Sequence, residues 1–495
     1  MSSMISTTHA PGERHAMIAG IASAALYVAI YFLQRALSPQ YAASAVRTAA
    51  ALYVLTTIAL FVCYAAIVSV AARGALRDAR ALLLAFAFPV LFNVALTAGN
   101  PHLSTDVLTY VAQGHQVVAG RSPYVEPVSA LADTRFGLDL TREGSQPIHD
   151  VSPYGPLWTQ VEAVAGFITP DIATQALLMK VVVTAFSLGN AVLIWLILGA
   201  VCPRHQIIGT ILYLWNPVVV MELAGEGHND APMIFFLLAS VYLWVRGRFG
   251  ESFAAILVGA LVKIVAGVFV PLELVHLWRT HQMNRRTAGA LLLGGCAAAA
   301  IGIVAYAPFW AGWRTFDGIR AHATPNLMSA STPSVSFWYL TRIYQERAAA
   351  RVLSLLMAGG FLGCMAVVSV RIHDAASFVR AFGRIAIVYL AFAPGYWPWY
   401  AVLPVALLAL APGEMAIWSI FAISLGARLA APIDALRMNG LLDWDRELFS
   451  ITMIGVWFPV SAIGLRYALG ARAAWKNRPA ALTVLRVPRA GMEQP

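Results

Sequence analysis

The sequence predicts an all-α polytopic membrane protein, a bundle of about 12 helical crossings within a range of 10–14. Three observations predict it. Of the 495 residues 59% are hydrophobic and only 12% charged, where soluble domains carry about 25% charged residues. The mean hydropathy is +0.70. Apolar runs of 17 residues or more recur along the chain, each able to cross a hydrocarbon core of about 30 Å at 1.5 Å per residue.

Taken in order, crossings are expected near 17–34, 48–72, 81–98, 173–201, 207–223, 231–245, 287–309, 352–370, 384–394, 400–411, 414–427 and 450–469. The first run is followed by LQRALSPQ, which has no small-x-small cleavage site, and reads as a retained helix. The basic clusters Arg73/Arg77/Arg80, Arg246/Arg248, Arg279/Arg285/Arg286, Arg371/Arg380/Arg384 and the tail from Arg472 to Arg489 should face the cytoplasm by the positive-inside rule, with both termini inside. Residues 252–278 have basic residues on both flanks, so a re-entrant or two-half-helix hairpin with its apex at Lys263–Gly267 restores the parity. The whole chain then forms one integral membrane domain, with a cytoplasmic tail at 470–495.

Two outer loops, 99–156 and 310–351, are too long to be connectors. In the first, TDVLTYVAQGHQVVAG should form an interfacial helix with Thr105 as N-cap, and 157–169 a second one. This loop also carries His149 and Asp150.

The net charge of +10 comes with only three lysines among 34 basic residues and no dense basic run, so it signals topology and no nucleic-acid partner is expected. Cys63, Cys202, Cys296 and Cys364 form no CxxC pair, which argues against a disulfide framework or a zinc site. HxD spacing at His228 and Asp230 lacks a partner motif, so a metal-independent, cofactor-free chemistry is expected.

Candidate chemistry lies at five places. Asp106 starts the interfacial helix, where the dipole keeps a carboxylate ionised and able to take a proton from a sugar hydroxyl; a plain helix-capping role is equally open. The turn Glu222-Leu-Ala-Gly-Glu226-Gly-His228-Asn229-Asp230 holds three acids and a histidine in nine residues, and lines either a hydrophilic cavity or a solvated turn. Lys180 and Lys263 fall inside apolar segments, where an ammonium costs about 2.5–3.5 kcal/mol; snorkelling is the other reading, stronger for Lys180. Arg314, Arg320 and His322 suit a phosphate at the membrane surface, with bidentate Arg donation and a proton from His, or equally a lipid headgroup. Trp397, Trp399 and Tyr400 suit an aromatic belt or stacking on sugar or isoprenoid.

In this order, DVLTYVAQG (Asp106 to Gly114), RSPYVEP, SPYGPLW (Ser152 to Trp158), GHNDAPM (Gly227 to Met233), ALVKI (Ala260 to Ile264) and PWY (Pro398 to Tyr400) resemble the GT-C glycosyltransferases. They are most similar to the bacterial polyprenyl-phosphomannose-dependent α-mannosyltransferases and the related glycosyltransferase family 87, over about residues 80–405. The resemblance implies a GT-C-like bundle in the bacterial inner membrane, an extracytoplasmic active site, and an inverting transfer of a sugar, mannose above all. The donor would be a polyprenyl-phosphate sugar and the acceptor a glycan or glycolipid, among membrane lipids. Asp106 matches the family's catalytic aspartate, the general base. Tyr110, Tyr154, His228, Asn229, Asp230, Lys263, Trp397 and Tyr400 would contact substrate, while Arg320 and His322 stand by position and residue type where the donor phosphate is held, Arg320 as a binding residue and His322 as a second catalytic residue beside Asp106. A soluble transferase would need a dinucleotide-binding sheet, and no Gly-rich strand-turn-helix is visible. The competing readings are a transporter or flippase of a lipid-linked sugar, disfavoured by the lack of repeat symmetry, and an enzyme resembling O-antigen ligases or polymerases.

Overall fold

The computed structural model describes residues 11–37, 41–76, 78–144, 151–324 and 330–476. Arg77, His149, Asp150 and the basic tail beyond 476 lie outside the described residues. Helices account for the architecture throughout, and among the described residues there is no strand.

Helices α1 (Pro11–Ala36), α2 (Ala43–Ala72) and α3 (Ala79–Thr97) open the chain. Asp78 starts α3 by accepting the Ala81 N–H at 2.8 Å, satisfying one of the amides a helix start leaves unpaired. The first long loop folds into α4 (Asp106–Val118), the short α5 (Arg135–Arg142) and α6 (Pro156–Ile168). Asp171 then caps α7 (Ile172–Val201) through the Thr174 N–H at 2.8 Å. Helices α8 (Gln206–Leu214) and α9 (Pro217–Val219), with a π-helical turn at Val220–Gly225, form a pair bent by 48°. Asn216 holds that bend: its Oδ1 accepts the Val218 N–H at 3.0 Å and its Nδ2 donates to Ser424 Oγ at 2.8 Å.

Next come α10 (Asp230–Val245), α11 (Phe249–Val262), a 3-10 turn at Ile264–Phe269, α12 (Val270–Arg279) and α13 (Arg285–Tyr306). The second long loop holds α14 (Asp317–His322) and α15 (Thr332–Leu340). The last third comprises α16 (Glu346–Ser369), α17 (Ala375–Phe392), α18 (Val402–Leu408), α19 (Glu414–Ala430), α20 (Pro432–Met438), α21 (Trp444–Thr452) and α22 (Phe458–Lys476).

Nine helices among the described residues are long and apolar enough to cross a membrane, ten if the bent pair counts as one. The chain is therefore a polytopic all-α membrane protein, with fewer long crossings than the 12 expected. The difference lies in length. Helix α10 has 16 residues, reaching only about 24 Å at 1.5 Å per residue. The apolarity of α10 serves the protein interior, where Ala231, Met233, Ile234, Leu237, Leu238 and Val241 are buried. The run at 400–411 likewise ends in a short helix, Pro398–Leu408, whereas the runs at 384–394 and 414–427 belong to longer helices, Ala375–Phe392 and Glu414–Met438. Helix α13 shows the opposite pattern, exposing Leu292, Leu293, Ile303 and Val304, as a helix with lipid for a neighbour should.

Two local expectations change. Thr105 precedes α4 but its side chain makes no capping hydrogen bond. Helix α4 forms where an amphipathic surface helix was expected, yet most of its residues, including Tyr110, Gln113 and Gly114, are buried. A Cβ on Gly114 would come within 2.4 Å of the Glu162 carbonyl oxygen, so α4 and α6 cross almost backbone to backbone. The expected break in 252–278 falls at Lys263, between α11 and the 3-10 turn.

Candidate active site

The approach to Asp106 is fixed by a carboxylate from elsewhere in the chain. Glu226 Oε2 accepts the backbone N–H groups of His102, Leu103 and Ser104 at 3.1, 3.2 and 3.1 Å, while Gln34 donates to its Oε1 at 3.3 Å. Ser104 Oγ then accepts the Asp106 N–H at 3.2 Å. On the other side of this loop Lys180, buried, donates to the carbonyls of Leu96 and Gly99, closing the C-terminus of α3 where a cation is favoured. With its ammonium held on these carbonyls inside the protein, Lys180 does not snorkel.

Asp106 is the first residue of α4, and its Oδ2 lies 3.4 Å from both the Tyr154 hydroxyl and His228 Nδ1. The histidine is completely buried, and its Nε2 lies 3.3 Å from Glu222 Oε2. Glu222 gives its other oxygen to the guanidinium of Arg428, which also donates to the Tyr53 hydroxyl. Burial alone would lower the His228 pKa, but the carboxylates of Asp106 and Glu222, one beside each ring nitrogen, outweigh it and push it up to about 9. The imidazole is therefore protonated at neutral pH. Cation and anion alternate from Arg428 to Asp106 and sum to zero, which lets four charged side chains sit in a dry interior. Of them Asp106 is the most open, with 14% of its side chain exposed against 4% for Glu222 and none for His228 or Arg428.

A second ion pair stands beside the first. Asp230 opens α10 and binds Lys263 Nζ at 2.9 Å; the ammonium lies 5.3 Å from the Tyr400 ring centre. Lys263 occupies the break after α11, where the Gly155 N–H donates to the Val262 carbonyl at 2.9 Å. A Cβ on Gly155 would come within 2.0 Å of the Leu261 oxygen, so the SPYGP loop is latched to the lysine's helix end by a contact only glycine permits. Trp399 stacks on His228 with ring centres 3.9 Å apart, and Trp397 stacks on Trp399 at 5.6 Å. Tyr110 packs edge-on against Tyr154 and Trp158 at 5.3 and 5.1 Å. Burial first, and then the Asp106 charge, pushes the phenols of Tyr110 and Tyr154 well up, so both remain neutral donors. Both amide atoms of Asn229 are buried without a hydrogen-bond partner in the chain. Orphans of this kind cost about 1–3 kcal/mol each unless met, and sugar hydroxyls would meet them.

The structure thus brings together Asp106, Tyr110, Tyr154, His228, Asn229, Asp230, Lys263, Trp397 and Tyr400. Arg320 and His322 stand apart on α14, both exposed. Arg320 pairs with Asp317 at 2.8 Å and donates to the Trp313 carbonyl, and His322 Nδ1 lies 3.0 Å from the Gly318 carbonyl. Close packing of Gly318 on the Ser152 carbonyl, 2.2 Å from where a Cβ would sit, sets α14 on the SPYGP loop as a rim to the site. Sequence reasoning missed Tyr53 and Arg428. The signal for Arg428 was the one that singled out the two lysines, a cation inside an apolar run.

A family model described as alpha-(1->6)-mannopyranosyltransferase, N-terminal domain, matches residues 11–279. The chain belongs to this family. The matched part holds Asp106, Glu222, His228, Asp230 and Lys263, while Trp399, Tyr400 and Arg428 reach this cluster from beyond it. Alpha-(1->6)-mannopyranosyltransferase A of Mycobacterium tuberculosis is 29% identical over 202 residues, 40% of this chain and 37% of that protein. Its Corynebacterium glutamicum namesake is 25% identical over 182 residues, 36% of either chain. A probable alpha-(1->6)-mannopyranosyltransferase of Mycolicibacterium smegmatis is 24% identical over 437 residues, 79% of this chain and 75% of the relative. The matches to the first two relatives therefore span little more than a third of their length.

Proposed function

We propose that the protein transfers mannose from a polyprenyl-phosphate donor to a hydroxyl of a glycan or glycolipid at the extracytoplasmic face of the bacterial inner membrane, in α-(1→6) linkage and with inversion. The observation that carries this reading is the Asp106 carboxylate, the open end of an otherwise buried charge chain, held by His228 and Tyr154.

Asp106 accepts the proton of the acceptor hydroxyl as that oxygen attacks the anomeric carbon. The bond from that carbon to the phosphate oxygen breaks, and the lipid phosphate leaves with the electron pair. Holding the carboxylate at a helix N-terminus between two donors keeps it ionised and aimed, the requirement for a general base. Lys263 supplies positive charge for the leaving phosphate without a metal ion. Asn229 and Tyr110 offer buried donors and an acceptor for the sugar hydroxyls, and Trp397 and Tyr400 offer apolar faces. Arg320 and His322 meet the donor phosphate at the rim as it arrives, so the acid-base work rests on Asp106.

The test is purified full-length protein in lipid nanodiscs, offered a panel of polyprenyl-phosphate sugars, with released lipid phosphate as readout. Turnover with the mannose donor, lost by at least about 100-fold in Asp106→Asn with donor binding kept, is the expected result. Wild-type turnover by Asp106→Asn would overturn the assignment of the base.

A further inference from the structure

We propose that the buried Arg428–Glu222 ion pair positions the Asp106 base, acting through His228 and so making the C-terminal part of the chain a participant in catalysis. The inference rests on the reading of Asp106 as the base.

The two partners come from α19 and the π-helical turn, 206 residues apart, and Arg428 is fully buried. A pair in such a place is poorly explained by stability, because well-packed apolar side chains of similar volume are often as good or better. What the pair does is divide Glu222. One carboxylate oxygen goes to the guanidinium and the other faces His228 Nε2. The guanidinium is anchored in turn by the Tyr53 hydroxyl of α2. The imidazole is then fixed on three sides: Glu222 at one nitrogen, the Trp399 ring on a face, and Asp106 at the other nitrogen. With Glu222 held as an anion, the ring keeps two protons, and its Nδ1 lies 3.4 Å from the Asp106 carboxylate, close enough for charge attraction to hold that carboxylate in place.

Without Arg428, Glu222 is a buried carboxylate whose remaining cation is His228. Either it takes up a proton or it draws the imidazolium toward itself, and both weaken the hold on Asp106. The groups facing His228 are Asp106 from α4, Glu222 from the π-helical turn and Glu226 from its own turn, with Lys180 packed behind Gly227 and Arg428 behind Glu222. Trp399, on its face, is uncharged. Loss of the Glu222 charge therefore removes one of the two carboxylates that keep the ring doubly protonated, and deprotonation should begin at lower pH.

The experiment compares Arg428→Met, Arg428→Lys and the neutral pair Arg428→Met with Glu222→Leu, in the full chain in nanodiscs with polyprenyl-phosphate mannose. For Arg428→Met we expect kcat to fall about 10-fold or more while donor KM stays within about twofold, because Arg428 touches no substrate. The upper limb of the kcat–pH profile should move down by about one unit. The lysine variant keeps the charge and should recover most of kcat. The neutral pair removes the unpaired buried charge, so it tests the idea even where Arg428→Met fails to fold. It should fold, yet keep the low kcat and the displaced limb. Wild-type kcat and pH profile in the folded neutral pair would make the pair a packing feature and overturn the inference. Asp106→Asn serves as the reference. Its inactivity beside unaffected pair variants sinks only this inference, and its full activity sinks the base reading itself.

Discussion

Asp106 and His228 illustrate how a dry interior can hold a reactive carboxylate. A lone buried anion would take up a proton; a buried anion beside an imidazolium that is itself flanked by a second anion does not. The arrangement has a thermodynamic signature. The His228 pKa is raised from the ordinary 6.5 to about 9 in the folded protein. A group raised on folding lends stability that is fully present below the unfolded value and is lost as pH climbs through the folded one. The melting temperature in detergent should therefore hold up to about pH 6.5 and decline across the window to pH 9. In His228→Gln that decline should flatten; an unchanged slope would show that another group carries it. Lys263 and Arg320 can be separated in the same preparation. Lys263 is a part-buried ion-pair partner with 12% of its side chain exposed, and Arg320 is 60% exposed. Lys263→Met should lower kcat by about 10-fold or more, whereas Arg320→Ala should raise donor KM with less effect on kcat.

The elements around the site are tied together by two contacts that admit little change. At the SPYGP loop, Gly155 sits against the Leu261 carbonyl with no room for a Cβ, and its N–H bonds to Val262. Gly155→Val should cost about 1–3 kcal/mol through forced separation and, because Tyr154 and Lys263 sit on the two sides of that latch, should depress activity more than folding. Thermal unfolding and turnover measured on one preparation check the two effects. At the 102–104 segment, one carboxylate of Glu226 gathers three backbone amides. Glu226→Gln weakens charge-assisted bonds to neutral ones, so hydrogen exchange at these amides should speed up by about 10-fold or more, while exchange in α7 stays unchanged. Equal exchange in both proteins would mean that the loop is held by other contacts.

Most long helices were legible because hydropathy reports burial in lipid or protein alike, and for that same reason it overcounted long crossings: α10, with 16 residues, owes its apolarity largely to the protein packed around it. Asp106, His228, Asp230 and Lys263 were legible because charge in an apolar setting is costly and therefore informative. The partnership of Glu222 with Arg428 was not. No local pattern connects positions 206 residues apart, and only the packing of α19 on the bent segment brings them together. The position of α4 was misread for a related reason, since a buried helix at the site carries polar residues that resemble a solvent face.

At the scale of the whole molecule, three helical hairpins place their arginines at the end opposite the site. Helix α2 ends at Arg73, and α3 returns to deliver the 99–105 loop. Helix α10 runs from Asp230 to Arg246, and α11 runs from Arg248 back to Lys263. Helix α16 approaches Arg371, and α17 returns toward the tryptophan turn at Trp397–Tyr400. The positive-inside rule weighs such basic residues near helix ends and assigns them to the cytoplasm, and the proposed outward-facing site follows from that rule. The proposed lipid-phosphate donor would meet a site at a helix end near the headgroup level, with its phosphate there and its chain among the acyl tails. The prediction concerns two exposed positions, Glu143, which lines a pocket with Gly99 and Lys180 at the end of α3, and Arg248 at the far hairpin, in a chain with Cys63, Cys202, Cys296 and Cys364 replaced by serine. A membrane-impermeant maleimide should label Glu143→Cys in intact cells with a permeabilised outer envelope, and should label Arg248→Cys only after the inner membrane is opened. The reverse pattern would turn the site toward the cytoplasm, where a nucleotide sugar would be the accessible donor, and the assignment of a lipid-linked one would fall with it.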